Sequence, residues 1–170
     1  MWYVMQTQTG KEAELAQKCM SMIAKPDEKI FVMYGERMFK NLGSWEKRLQ
    51  ALFRGYVFID TDDIADFRIR SFSLPNSVKI LKSGDEMWPI HEDEEEFLKT
   101  IGGEDHIVRM SEGYAFGDKL SVVRGSMVGM EGRVRSIDRH NRTATLYVRV
   151  AGRELEVKVG LEVVAKLTEE

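Results

Sequence analysis

Short alternations of apolar and polar residues dominate the last third of the chain. From Gly117 to Leu167 the apolar positions Leu120, Val122, Val134, Ile137, Leu146, Val148, Leu155 and Val157 recur at period two or near it. Each run closes at glycine or a polar turn, which predicts a small closed β-barrel. The first hundred residues mix two periods. Trp2 to Gln6 reads as a strand, and Gly10 breaks it ahead of a helix from Lys11 to about Ile23. That helix carries Ala13, Leu15, Ala16, Cys19, Met20 and Ile23 on one stripe and ends at Pro26. Ile30 to Lys40 predicts a strand bent at Gly35, Asn41 to Ser44 a turn, and Trp45 to Asp60 one longer strand. A second helix starts near Asp62, with Ile64, Ala65 and Phe67 apolar. Pro75 introduces a strand from Val78 to Leu81, and a third helix runs from His91 to about Thr100. This order fits an α+β protein, a helix-backed antiparallel sheet of the ferredoxin-like kind followed by the barrel. The expected boundaries are a first domain over 1–101, a linker and lead-in over 102–113 beginning Gly102-Gly103-Glu104-Asp105, and a second domain over 114–170.

Charge sharpens that division. Between Arg124 and Arg153 stand seven arginines (124, 133, 135, 139, 142, 149 and 153), no lysine, and only Glu131 and Asp138 as acids. The segment therefore carries +5 inside a chain of net charge −3. Arginine concentrated in one small domain suits phosphate. With 43% hydrophobic residues in 170, there is enough apolar mass for a core. No run approaches the roughly 20 apolar residues of a membrane helix, and no signal-peptide pattern is visible, so a cytoplasmic protein without membrane contact is expected.

Catalytic patterns are missing. His91, His106 and His140 lie far apart and form no metal pair. Glu92 to Glu96 are consecutive on a predicted helix, where neighbouring side chains diverge, so the helix dipole explains them better than a metal does. Gly10-Lys11 lacks the earlier glycine and the following Ser or Thr of a phosphate loop, with Met5 and Glu12 in those places. Ser121 and Ser126 belong to no recognisable triad. Cys19 is the sole cysteine and sits on an apolar stripe, which reads as packing. The expectation is a binding protein rather than an enzyme, with no cofactor and no metal.

Two groups of residues are candidates for binding. Trp2, Tyr3, Phe39, Phe53, Tyr56 and Phe58 place aromatics on the strands of the first domain, either as core or as an apolar patch for a partner helix. In the second domain the turn Asp138-Arg139-His140-Asn141-Arg142 sets two guanidiniums, an imidazole and an amide side by side, suited to phosphates and base edges.

Taken in order, these pieces resemble the NusG family of transcription elongation factors over almost the whole chain. Trp2-Tyr3-Val4 with the break at Gly10 resembles the opening of its N-terminal (NGN) domain. Leu52-Phe53-Arg54-Gly55-Tyr56-Val57-Phe58 resembles its FPGYV signature, with Arg54 in the usual proline position. Pro89-Ile90 and the acidic helix resemble the segment that closes the domain. Gly117-Asp118, Val122-Val123-Arg124-Gly125 and Gly129-Met130-Glu131-Gly132-Arg133-Val134 resemble the KOW motif of its SH3-like C-terminal barrel. Departures from the housekeeping pattern at Gly125-Ser126-Met127 and Gly152 to Val157, with the segments Ser136 to Ala144 and Val159 to Val164, look most like the LoaP subfamily.

The resemblance implies an operon-specific processive antiterminator. Its NGN domain would bind the clamp helices of RNA polymerase through Trp2, Tyr3, Phe53 and Tyr56. Its KOW domain would bind a leader RNA hairpin through Arg124, Arg133, Arg135, Arg139, His140, Asn141, Arg142 and Arg153. Gln8, Lys11, Lys18, Arg68 and Arg70 are candidate contacts to non-template DNA. The alternative is a general elongation factor whose KOW domain binds Rho or a ribosomal protein. A monomer is expected. One paralogue, RfaH, refolds its C-terminal domain between helix and barrel. The β-branched residues Val122, Val123, Val134, Ile137, Val148, Val150, Val157 and Val159 predict that this chain does not.

Overall fold

The computed structural model describes residues 1–76, 78–83 and 86–167. Along the chain come β1 (Trp2–Gln6), α1 (Glu12–Met22), β2 (Lys29–Phe31), β3 (Tyr34–Asn41), β4 (Ser44–Ala51), β5 (Tyr56–Asp60) and α2 (Ile64–Ser71). The short strands β6 (Lys79–Ile80), β7 (Lys82–Ser83) and β8 (Glu86–Met87) precede α3 (Glu92–Gly102). Then follow β9 (Ile107–Val108), β10 (Ser111–Phe116), β11 (Lys119–Arg124), β12 (Val134–Asp138), β13 (Thr143–Val150) and β14 (Arg153–Leu167). The chain forms two compact units. One holds residues 1–33, 53–97 and 149–154, the other 34–52, 98–148 and the residues from 155 on.

In the first unit, four antiparallel strands take the order β2-β5-β1-β6. Along the chain α1 connects β1 to β2 and α2 lies between β5 and β6, the split β-α-β arrangement of a ferredoxin-like sheet. Aromatic and β-branched residues favour β1 and β5 as strands. Helix α1 begins with Glu12 and Glu14 in its first turn, where acids meet the positive end of the dipole. It closes with the Ile23 N–H donating to the Cys19 carbonyl, just ahead of Pro26. Helix α2 is capped by Asp63, whose Oδ1 accepts from the Asp66 N–H at 3.0 Å. Val4, Met5, Cys19, Met33, Val57, Phe58, Ile59 and Phe67 are buried completely.

The second unit contains a sheet of order β11-β10-β14-β13-β12 and a smaller one of order β4-β3-β9. The alternation expected in the last third is plainest in β13, where Leu146, Val148 and Val150 are buried while Tyr147 and Arg149 are exposed. Strands β11 and β12 stand at the two ends of the sheet. Among the described residues no pairing joins them, so the sheet is open where a closed barrel was expected. Gly125 adopts φ +97°, and a side chain there would collide with the Met110 carbonyl and Ser111. That tight turn lets the Ser111 hydroxyl accept from the Met127 N–H at 3.0 Å and tucks Met127 into the core.

Two expected strands divide. Ile30 to Lys40 splits into β2 and β3, and Trp45 to Asp60 splits into β4 and β5. The reason is that β3 and β4 form a hairpin pairing with β9 in the second unit, while β2 and β5 stay in the four-stranded sheet. Leu42 (φ +47°) and Gly43 (φ +86°) make its two-residue turn, the geometry that matches strand twist. Ile107 to Tyr114, expected as an extended lead-in, contributes β9 and most of β10.

Candidate functional site

The four aromatics singled out in the first domain for the polymerase, Trp2, Tyr3, Phe53 and Tyr56, are all buried. Pairing of Val4 with Phe58 and Phe31 with Phe58 sets Trp2, Phe31, Phe58 and Tyr56 on one face of the sheet, by strand alternation. There Trp2 meets Phe31 edge to face at 4.8 Å and Phe58 at 5.9 Å, and Phe31 stacks on Phe58 at 5.6 Å. Phe53 meets Phe58 in a T-shaped contact at 5.4 Å between ring centres. Such pairs contribute about 0.5–1.5 kcal/mol each beyond the area they bury. Tyr3 stands apart, pointing to the opposite face. Burial and the nearby Asp62 carboxylate raise its phenol above the ordinary tyrosine value.

A residue outside the expected set fixes this cluster. Glu12 is buried and its two oxygens accept from the Gly10 N–H at 2.9 Å and the Gly55 N–H at 2.7 Å. The Gly55 carbonyl in turn accepts from the Thr7 N–H at 2.8 Å. Gly55 sits at φ +77°, and a Cβ there would lie 2.8 Å from the Thr7 carbonyl oxygen, so the turn between Phe53 and Tyr56 tolerates only glycine. The sequence signal for Glu12 was its place at the start of a helix two residues after a glycine. Nothing in it pointed to a partner 43 residues away.

Of the residues named for DNA, Arg70 is engaged inside the unit. Its guanidinium meets Glu28 at 2.6 and 3.0 Å, Asp66 at 2.8 Å and the Ile23 carbonyl. Lys11 and Lys18 both pair with Glu14, at 3.4 and 3.0 Å. Burial alone would push the Glu28 carboxyl up. The Arg70 guanidinium, the Lys25 N–H and the Thr61 hydroxyl together outweigh it and hold Glu28 below the ordinary glutamate value.

In the second unit the turn from Asp138 to Arg142 joins β12 to β13 and is internally ordered. Asp138 accepts from the Asn141 backbone N–H at 2.9 Å and its side-chain amide at 2.7 Å, which lowers the Asp138 pKa. The Asn141 amide is thus occupied. Arg142, at φ +54°, accepts from the Leu161 N–H through its carbonyl at 2.9 Å. Its guanidinium lies 4.4 Å from the centre of the Trp45 ring and 3.9 Å from Glu162. Arg139 and His140 are left exposed at the tip. Arg135 and Arg153 are exposed, Arg133 is half-buried, and Arg124 pairs with Glu112 at 2.9 Å. Glu131 accepts from the Val122 N–H at 2.9 Å and so fastens β11. The structure thus brings Arg139, His140, Asn141 and Arg142 together on one turn. The remaining arginines are distributed over other elements.

A family model described as "Transcription termination factor nusG" matches residues 1–99. The chain belongs to the NusG family. Its members are transcription factors and bind RNA polymerase. Among solved structures, one described as "Domain interaction in Thermotoga maritima NusG" has a similar fold, with a TM-score of 0.50 and 19% sequence identity over 94% of this chain and 92% of that one. No curated protein sequence matches the chain. Among the described residues no cluster of His, Cys, Asp and Glu could hold a metal ion, and no helix is long and apolar enough to cross a membrane.

Proposed function

We propose that this NusG-family protein is an operon-specific processive antiterminator of the LoaP kind. The observation that carries the proposal is the ordered Asp138–Arg142 turn, which presents Arg139 and His140 to solvent within the arginine-rich segment. The Asp138 carboxylate pre-organises the turn, so little conformational entropy is lost when it engages a ligand. Residues 1–101 act as the NGN domain on the polymerase clamp helices, with Trp2, Phe53 and Tyr56 supporting that surface from one face of the sheet and Tyr3 packing on the other. Residues 114–170 act as the KOW domain on a structured leader RNA. Bound to both, the protein is held at the polymerase at high effective concentration and favours the state that does not pause.

The test is a titration of the full chain with a stem-loop from the leader of its neighbouring operon, beside a scrambled stem-loop, at two salt concentrations. Preference for the native stem-loop, lost in Arg139→Ala, is the expected result. Equal weak binding to both would move the assignment to a general elongation factor with a protein partner. One feature favours that second reading. A groove lined by Leu120, Val134, Ile137, Lys119 and Arg135 opens beside the edge strands β11 and β12. Unpaired edges of this kind receive added strands.

A further inference from the structure

The β3–β4 hairpin has two faces of different character. On one, Arg48 pairs with Glu46 at 2.6 Å, and Arg37 and Arg48 lie over the Phe39 ring at 5.2 and 5.9 Å. Asn41 also donates to Glu46, and Arg37 donates to Gln50 at 3.4 Å, so Arg48 on that face is paired with a carboxylate. On the other face Lys40 stands opposite Trp45 and Met38 opposite Lys47, and strand alternation keeps all four side chains together. Lys40 and Lys47 are exposed, and neither makes an ion pair among the described residues. Glu36 lies farther along this face and is engaged by Arg109 at 3.4 Å and the Met110 N–H at 2.9 Å. Glu162 lies 3.9 Å from Arg142, and Asp138 in the adjoining turn is engaged by Asn141.

Trp45 links this face to the Asp138–Arg142 turn, because the Arg142 guanidinium covers its ring at 4.4 Å. We infer that the hairpin face carrying Lys40, Trp45 and Lys47 is a second nucleic-acid contact surface, continuous with Arg139 and His140, that takes the single-stranded loop of an RNA stem-loop. The inference rests on the RNA-binding reading given above. An indole backed by a cation is a stacking platform for an unpaired base, and two lysines beside it reach the flanking phosphates. The Arg48–Glu46 ion pair on the opposite face makes Arg48 the internal control.

The experiment uses the full chain, a leader stem-loop as probe, and the same stem with its loop replaced by a short flexible linker. Lys40→Ala/Lys47→Ala should weaken binding of the intact stem-loop about tenfold. The same pair should flatten the slope of log affinity against log salt by about 1.4, near 0.7 for each phosphate no longer neutralised. Trp45→Ala should weaken binding similarly and Trp45→Phe less, while Arg48→Ala should have no effect. All these differences should shrink with the loopless stem. If the lysine pair binds like wild type while Arg139→Ala does not, the hairpin surface is overturned and the RNA-binding reading stands. If neither variant changes affinity, both fall. Tighter binding to single-stranded DNA of the loop sequence than to the RNA would overturn the choice of RNA as occupant.

Discussion

Glu12 shows how one buried side chain can set the shape of a binding region. Its carboxylate joins the start of α1 to the turn at Gly55 through two backbone N–H groups. Glu12→Ala leaves both donors without that acceptor, so a loss of about 2–3 kcal/mol is expected in urea denaturation, with Glu12→Gln losing less. Glu28 supplies a pH signature. Its folded pKa lies below the unfolded value of about 4.3, so the stability it contributes is complete above that pH and is lost as pH falls through the folded value. The wild type should therefore lose stability in acid. Arg70→Ala should cost about 2–3 kcal/mol at neutral pH, discounted because Arg70 is partly exposed, and should flatten the acid limb. An acid limb of unchanged steepness in that variant would show that Glu28 is not its source. Cys19 is buried in the core, and burial pushes its thiol up to about 11.

At the level of elements, periodicity was a sound guide where local patterns and local partners agree. β1, α1, α2 and α3 stand close to where the alternations and breaks placed them, and the turn between β12 and β13 is the one the polar run suggested. It failed at Leu52 to Gly55, inside the stretch Trp45 to Asp60 that was expected as one longer strand. The chain turns there because Gly55 is held at positive φ by Glu12 and Thr7, both remote in sequence. Gly55→Ala would place a methyl group 2.8 Å from the Thr7 carbonyl and impose an unfavourable φ. A loss of about 2 kcal/mol or more in thermal or urea unfolding follows, together with weaker polymerase binding. Wild-type stability in this variant would mean that the turn relaxes freely and is not clamped.

At the level of the whole molecule, the compact units do not follow the order of the chain. The hairpin over 34–52 lies with 98–148 and the residues from 155 on, and β3 pairs in parallel with β9. A fragment of residues 107–170 should keep a strand-type circular dichroism spectrum, because its β-branched residues favour strands, yet unfold at lower urea than the full chain for want of β3 and β4. A large helical fraction in that fragment would overturn the expectation that it does not switch fold. The α+β class, the strand-rich final third, the local positive charge and the family resemblance are legible along the chain, because each depends on near neighbours or on composition. Tertiary structure alone decided that the aromatics Trp2, Phe53 and Tyr56 are buried and that Glu12 holds Gly55. It also decided that Arg142 lies over Trp45 and that, among the described residues, no pairing joins β11 to β12. Those outcomes depend on groups distant in sequence and brought together only by packing, so no local pattern encodes them.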